Sequence, residues 1–321
     1  PTRRSSDLKL EEGFDLNSKI VLITLILTLI IGGVFASSGI NIISPLDNYD
    51  TNNTNFDFNI SFSTVDMNYV CFSLDSNCQS SSIAITQNPQ TINYSNSELS
   101  FSQGSNNVFV CEHDGNTETN GDWTCDDIAI NYDNVAPTID ISGLTDGNYY
   151  DSNSISVTIT VTDATTNVDT ATYNLNSGSN QPVSSGTPVT LDFNEGSNTL
   201  TVDVNDTLEN TASTTITFTI DTITPILTSI ANDYSGSGVY TTSETPTFTL
   251  SLTESNPNKV YLACADSNYT EITYSSNTIS TFDITTGGDC NTNDGIKTIY
   301  AKVEDEVGKM AGPITTTVNY D

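Results

Sequence analysis

The side chains of this protein that could do chemistry are mainly carboxylates and cysteines. The 321 residues include 40 Asp and Glu against 8 Lys and Arg, with 1 His and a formal net charge of −32. Nucleic-acid binding needs clustered Lys and Arg to contact phosphates, so this balance argues against nucleic acid as a partner. A single histidine also leaves little material for acid–base catalysis or a transition-metal centre.

The cysteines are typical of structural disulfides. They occur in even numbers in two separate parts of the chain, four between residues 71 and 125 and two at residues 264 and 290. Four cysteines allow three pairings, and we favour the two that join neighbours in the sequence. The predicted pairs are Cys71–Cys78, Cys111–Cys125 and Cys264–Cys290. Redox catalysis would need Cys-x-x-Cys, which the sequence does not contain.

An aspartate follows a glycine at an interval of ten residues three times. The pairs are Gly104 and Asp114, Gly196 and Asp206, and Gly295 and Asp305. We interpret each aspartate as the start of a hairpin, where its carboxylate accepts backbone N–H bonds in an Asx turn. The alternative is calcium held by oxygen ligands. That hypothesis places calcium near Asp114, Asp133, Asp206, Asp221 and Asp305, although no EF-hand or nonapeptide pattern is present.

Other candidate sites have weaker sequence support. His113 lacks the further ligands that zinc needs, so we interpret it as an ordinary hairpin residue. Asn-x-Ser/Thr sequons make glycosylation candidates of Asn52, Asn59, Asn93, Asn205 and Asn268. The sequence contains none of the common serine-hydrolase, zinc-protease or phosphate-loop motifs, and nothing selects two of its many acids as a catalytic pair. We therefore expect no catalytic residues, no enzymatic activity and no cofactor other than the calcium considered above.

A hydrophobic segment near the N-terminus predicts export. Ile20–Phe35 carries no charge and would span about 24 Å as a helix, short of the ~30 Å bilayer core. We predict a signal peptide over residues 19–36, cleaved after Ala36, with an uncleaved membrane anchor or a prepilin-type cut after Gly13 as alternatives. Residues 1–18 are interpreted as an artefact followed by an n-region, since residues 1–8 read like a translated sequencing adapter. We expect membrane contact only through the hydrophobic segment.

Alternating apolar and polar residues predict β-strands throughout the rest of the chain. The stretches Phe56–Phe62, Ile155–Val161 and Phe248–Leu252 repeat with a period of two. Two Asp-x-x-x-Pro sequences, Asp133–Pro137 and Asp221–Pro225, close strand-rich blocks of similar length. The predicted units are residues 37–134, 135–222 and 223–321, each about the size of a β-sandwich.

Two stretches resemble a known class of repeat. Asn194–Pro225 and Ile296–Asp321 are similar to the last two strands of bacterial and archaeal Ig-like repeats, and Cys71–Asp75 is similar to the third strand of the archaeal variety. The resemblance implies an all-β protein of three tandem Ig-like β-sandwich domains, preceded by one N-terminal hydrophobic helix. Such families have extracellular adhesion, stalk, sheath or surface-layer roles and no single chemistry.

The sequence therefore predicts a non-enzymatic, exported cell-surface protein, adhesive or serving as a structural stalk. We expect it to bind a cell-surface protein or glycan, or to self-associate, and an extended stalk predicts rods in solution scattering. One alternative is a surface-layer or filament subunit. Another is a set of accessory modules of a larger secreted hydrolase, whose catalytic domain would follow Asp321; we expect the chain to be a fragment of a longer protein.

Overall fold

The computed structural model describes residues 40–62, 69–76, 82–84, 91–95, 99–113 and 124–321. Every regular element within these ranges is a β-strand, 23 in all. The described ranges contain no helix that is long and apolar enough to cross a membrane. The predicted N-terminal helix, with the segments 1–18 and 19–36, lies outside the described residues. The all-β fold class predicted from the alternating pattern is confirmed.

The described chain divides into two compact units. The first holds the described residues up to Ala136, together with the short segments Asp163–Asn167 and Asp206–Asn210. The second holds Pro137–Thr162, Val168–Asn205 and Thr211–Asp321. The three largest hydrophobic cores of the described residues lie one within each of the predicted ranges 37–134, 135–222 and 223–321, and a small cluster around Cys71 and Cys111 also lies in the first range. The domain boundaries themselves stay a prediction.

The first unit contains a sandwich of two sheets, which we call the first sandwich. Its strands are β1 (Ile40–Ser44), β2 (Tyr49–Thr51), β3 (Asp57–Phe62), β4 (Tyr69–Ser73), β5 (Ser82–Ala84), β6 (Thr91–Ser95), β7 (Gly104–His113) and β8 (Thr124–Tyr132). One sheet has the order β1-β3-β6 and the other β2-β8-β7-β4-β5. Phe58 of β3 and Phe72 of β4 are buried with ring centroids 5.4 Å apart, so the core fills the space between the sheets.

The second unit begins with a second sandwich of the same design. Its strands are β9 (Thr138–Ser142), β10 (Tyr149–Tyr150), β11 (Ser154–Thr162), β12 (Val168–Leu175), β13 (Gln181–Pro182), β14 (Pro188–Asp192), β15 (Gly196–Asp206) and β16 (Thr211–Ile220). The sheets have the orders β14-β11-β9 and β10-β16-β15-β12-β13. Phe193 and Phe218 meet edge to face at 4.8 Å in its core, a favoured aromatic geometry.

The remainder of the second unit forms a third sandwich. Its strands are β17 (Ile226–Ala231), β18 (Phe248–Thr253), β19 (Pro257–Ala263), β20 (Thr270–Thr273), β21 (Thr278–Ile279), β22 (Gly295–Asp305) and β23 (Met310–Tyr320). The sheets have the orders β17-β18-β21 and β20-β19-β22-β23. Along β22, alternate residues from Lys297 to Asp305 are buried, as the period of two in the sequence requires.

The strand connections are those of Ig-like sandwiches. The last two long strands form a hairpin in each case, β7–β8, β15–β16 and β22–β23. A short strand near the start pairs in parallel with the last strand, as β2 does with β8 and β10 with β16. In the third sandwich, a single parallel bridge joins Thr241 to Tyr320, the last residue of β23, at the corresponding place. The chain is thus built from repeated Ig-like β-sandwiches.

Two isoleucines of β22 test the alternation of its two faces. Ile299 is 0% exposed and Ile296 is 75% exposed. Truncation of a buried isoleucine removes packing and leaves a cavity, so we expect Ile299→Ala to lower the free energy of unfolding by about 2–5 kcal/mol. The matched Ile296→Ala should change it by less than about 0.5 kcal/mol. Denaturant unfolding of both variants measures the difference, and equal losses would contradict the assigned faces.

Candidate functional site

Three aspartates from distant parts of the sequence meet in the first unit. Asp133 directly follows β8, Asp163 directly follows β11, and Asp206 is the last residue of β15. Each offers a carboxylate oxygen, and these three oxygens lie within 4.8 Å of one another. Asp133 and Asp206 are buried, with exposed fractions of 0% and 1%. We call these three residues the first cluster.

The turn chemistry of the loops explains why these carboxylates are held in place. Asp206 Oδ1 accepts the backbone N–H groups of Leu208 at 2.8 Å and Asn210 at 2.9 Å. Asp163 Oδ1 accepts the N–H groups of Thr165 and Thr166 in the same manner. These are Asx turns, in which the carboxylate replaces a backbone acceptor.

Hydrogen bonds also join the three segments to one another. The Asn210 side-chain amide donates to Asp206 Oδ2 at 2.7 Å and to the backbone oxygen of Asp133 at 3.0 Å. The Thr166 hydroxyl donates to Asp133 Oδ2 at 2.8 Å. Hydrogen bonds therefore hold the three carboxylates of the first cluster together, and carboxylate oxygens are ligands of the kind that calcium prefers.

The electrostatics of Asp206 reflect these bonds. Burial is the largest single influence and would raise the pKa of this carboxyl, since it disfavours the charged form. The hydrogen bonds from Asn210, Leu208 and Thr166 act in the opposite direction and together hold the pKa below its ordinary value of 3.8. Asp206 is thus ionised in the folded protein at neutral pH.

A second set of acids occupies the same three positions in the second unit. Asp221 directly follows β16, Glu254 directly follows β18, and Asp305 is the last residue of β22. Asp305 Oδ1 accepts the N–H groups of Val307 at 3.0 Å and Lys309 at 2.8 Å, the turn that Asp206 makes in the first cluster. We call Asp221, Glu254 and Asp305 the second cluster.

The structure places the five aspartates predicted to bind calcium in different locations. Asp133 and Asp206 lie together in the first cluster, Asp221 and Asp305 belong to the second, and Asp114 lies outside the described residues. Sequence reasoning missed Asp163 and Glu254. A sequence pattern could have identified both residues, because each acid follows a threonine at the end of an alternating strand. The two stretches are Val161-Thr162-Asp163 and Leu252-Thr253-Glu254. Calcium binding at these aspartates stays a prediction.

Two of the predicted disulfides are formed in the structure. Cys111 and Cys125 are direct partners across the β7–β8 hairpin and are joined by a disulfide. Cys264 and Cys290 are joined across 26 residues of sequence. Cys71 is disulfide-bonded as well, while its predicted partner Cys78 lies outside the described residues. His113 ends β7, and its side chain also lies outside the description.

The five sequons differ in accessibility. Asn52 and Asn268 are exposed, but their side-chain amides donate to Leu208 O at 2.6 Å and Asp289 Oδ1 at 2.8 Å. Asn59 and Asn205 are half-buried within the sandwiches. Asn93 lies in β6, and its side chain is outside the description. Glycosylation at these positions stays a prediction.

Fold and site together define a class of protein, one built of tandem Ig-like β-sandwiches with carboxylate clusters at the strand ends. No family model matches the chain, and no curated protein matches it. Among solved structures, the tetra-tandem repeat in the extending region of a large adhesion protein is 17% identical, with 88% of this chain and 73% of that chain covered and a TM-score of 0.34.

Two further solved structures are similar to the chain at the same low level. A bacterial ice-binding adhesin of 1.5 MDa is 16% identical, covering 88% of this chain and 97% of that chain, with a TM-score of 0.30. Fibronectin(III)-like modules of Clostridium thermocellum CbhA are 14% identical, covering 57% of this chain and 94% of that chain, with a TM-score of 0.26. Scores this low carry no argument about what this chain does.

The Asx turn at Asp206 can be tested by removing its carboxylate. Asp206→Ala leaves the half-buried N–H groups of Leu208 and Asn210 without their acceptor, so we expect the free energy of unfolding to fall by about 1–3 kcal/mol. Asp140→Ala removes an exposed carboxylate from β9 and serves as the control. Chemical denaturation measures both, and an equal effect of the two substitutions would show that the turn is not stabilised by Asp206.

The low pKa of Asp206 predicts acid sensitivity. A carboxyl whose pKa is lower in the folded than in the unfolded state stabilises the fold above its unfolded pKa, and this contribution is lost as pH falls through the folded pKa. We expect the wild type to lose stability below about pH 4, and Asp206→Asn to lose less over the same interval. Denaturation midpoints measured across this range would contradict the prediction if both proteins showed the same slope.

Proposed function

We propose that the chain is a non-enzymatic protein of the cell surface, whose tandem Ig-like sandwiches form an adhesive or structural stalk. The observation that carries this proposal is the presence of disulfides inside the sandwiches. Cys111–Cys125 cross-links the hairpin of the first sandwich, and Cys264–Cys290 cross-links the third. Disulfides of this kind persist in oxidising compartments outside the cytosol.

The acidity of the chain supports the same environment. A net charge of −32 keeps the surface soluble and self-repelling, and it disfavours adsorption to anionic lipid by charge. Small sandwiches also have limited cores, so cross-links and turn carboxylates contribute a larger share of their stability. The hydrophobic segment 19–36 would direct export, and the binding partner would be a cell-surface protein, a glycan or a second copy of the chain.

Export through the hydrophobic segment can be tested on intact cells. Leu25→Arg with Leu27→Arg places two charges in the apolar run, which should block translocation. Leu10→Arg with Leu16→Arg makes the same change outside the run and is the matched control. We expect external protease to digest the wild type and the control on whole cells, while the Leu25/Leu27 variant stays protected and its cysteines react with an alkylating reagent. Reactive cysteines and protection in the wild type would contradict the proposal.

Adhesion needs a separate measurement. Cells that display the wild type should bind to one another or to a glycan-coated surface more than cells displaying the blocked variant. Analytical ultracentrifugation of the purified exported chain distinguishes a stalk from a filament or surface-layer subunit. The subunit would polymerise, whereas a stalk would remain dispersed. Adhesion equal to that of non-displaying cells, together with polymer formation, would favour the surface-layer alternative.

The third sandwich offers a test of its cross-link. Replacing both Cys264 and Cys290 by alanine opens a loop of 26 residues, and loop-closure entropy predicts a loss of about 3 kcal/mol. The double variant should therefore unfold at lower denaturant than the oxidised wild type and should respond less to reductant. An unchanged unfolding midpoint in the double variant would remove the stabilising role assigned to this disulfide.

A further inference from the structure

The linker between the second and third sandwiches, Asp221–Pro225, begins with two residues that the second sandwich holds in place. The N–H of Asp221 donates to the backbone oxygen of Tyr150 at 2.8 Å. The N–H of Thr222 donates to both carboxylate oxygens of Glu195 at 3.1 Å, and its hydroxyl donates to one of them at 2.7 Å. The start of the linker is therefore fixed to the second sandwich.

The third sandwich binds the same start of the linker through two side chains. Asn256 directly precedes β19, and its amide donates to Asp221 Oδ2 at 3.2 Å. Lys309 lies in the turn between β22 and β23, and its ammonium donates to the backbone oxygen of Asp221 at 2.5 Å. Because a charged donor makes a stronger hydrogen bond than a neutral one, the bond from Lys309 is the stronger of the two.

The turn that carries Lys309 is held by the buried Asp305. Asp305 Oδ1 accepts the N–H of Lys309 at 2.8 Å, and the N–H of Asp305 donates to the backbone oxygen of Lys309 at 3.0 Å. The backbone of Lys309 is thus positioned by its own hairpin. Little backbone freedom is then lost when its side chain reaches the linker, so more of the strength of the hydrogen bond is available to hold the linker.

Lys309 differs in its partner from the other lysines that follow residue 36. All four lie in the third sandwich, and Lys259, Lys297 and Lys302 bond acceptors within that sandwich. Among the described residues, only the ammonium of Lys309 donates to the residue that follows the last strand of the second sandwich. Its charge is therefore placed at the linker and not at the surface of its own sandwich.

The same contact recurs in the first cluster with a different side chain. Asn210 stands in the β15–β16 turn where Lys309 stands in the β22–β23 turn. Its amide donates to the backbone oxygen of Asp133 at 3.0 Å, and Asp133 follows β8 as Asp221 follows β16. Two unlike side chains thus bond the main chain directly after the last strand of a sandwich, so the contact is part of the repeated design.

Apolar packing contributes little to holding the linker. Of its residues after Asp221, Thr222–Thr224 are exposed and only Pro225 is buried. The large apolar side chains beside it, Ile223 and Ile226, are 58% and 55% exposed. Both line a cleft of about 350 Å³ next to Asp221. This open space leaves room for the linker to bend, so hydrogen bonds and not a hydrophobic core must fix its direction.

We propose that Lys309 and Glu195 are positioning residues that hold the second and third sandwiches in one orientation without a metal ion. Glu195 fixes the linker to the second sandwich, and Lys309 fixes it to the third. Because the positive charge belongs to the chain itself, the orientation of the two sandwiches does not depend on the supply of ions. The proposal concerns the linker alone, so it can fail while the proposed function stands.

Distances between spin labels on the two sandwiches test the proposal. Ser156→Cys on β11 and Ser275→Cys after β20 place the labels at exposed positions. Pulsed dipolar spectroscopy of the purified chain then measures the distribution of distances, and we expect one narrow distribution in the otherwise wild-type protein. Lys309→Met should broaden it by about twofold or more, since the loss of a charge-assisted hydrogen bond frees the linker from the third sandwich. Lys302→Met removes an ammonium elsewhere in the same sandwich and should leave the width unchanged.

Glu195→Ala tests the other side of the linker and keeps the test valid if Lys309→Met does not fold. It removes the acceptor of both Thr222 bonds and should broaden the distribution as well. The proposal is wrong if the wild-type distribution is already as broad as that of the variants, or if both variants stay as narrow as the wild type. Each measurement is repeated with a chelator, which should change nothing. Broadening of the wild-type distribution by the chelator would show that a metal ion holds the linker, and would also overturn the proposal.

Discussion

Burial of a carboxylate at the end of a long strand is the constraint on which the loops of this protein depend. Asp206 and Asp305 are almost fully buried, and an ionised side chain in that position must be compensated. The compensation comes first from the backbone, because each carboxylate accepts two N–H groups of the turn that it opens. The turn after each strand therefore satisfies the Oδ1 atom of its carboxylate.

The two clusters meet this constraint in different ways. In the first, Asn210 bonds the second oxygen of Asp206, and hydrogen bonds within the protein satisfy the site. In the second, Lys309 stands at the equivalent position and Asp305 Oδ2 has no donor. One residue in a repeated hairpin therefore decides whether the second oxygen of the buried carboxylate has a hydrogen-bond donor. Repeats that share a backbone design can differ in the hydrogen bonding of a buried acid through a single side chain.

Much of the fold could be predicted from the sequence because its signals are local. The alternation in Ile155–Val161 predicts a strand with one buried face, and β11 has that pattern. The glycine-to-aspartate interval predicts a strand that ends in a turn, and β15 and β22 end at Asp206 and Asp305. The disulfide pair Cys111–Cys125 followed from its position across a hairpin, since direct cross-strand partners lie close together. Each of these inferences uses residues that are near one another in the chain.

The sequence by itself determined the all-β class, the Ig-like repetition, the acidic surface and the disulfide pairs of the β7–β8 hairpin and the third sandwich. These features follow from the two-residue period of apolar side chains, the composition and the short-range spacing of residues, none of which depends on how the chain packs. Only the tertiary structure decided which acids lie together, because Asp163 joins Asp133 and Asp206 from a loop distant in sequence. It also decided which oxygens remain without a partner, since burial and hydrogen bonding depend on neighbours that no local pattern records.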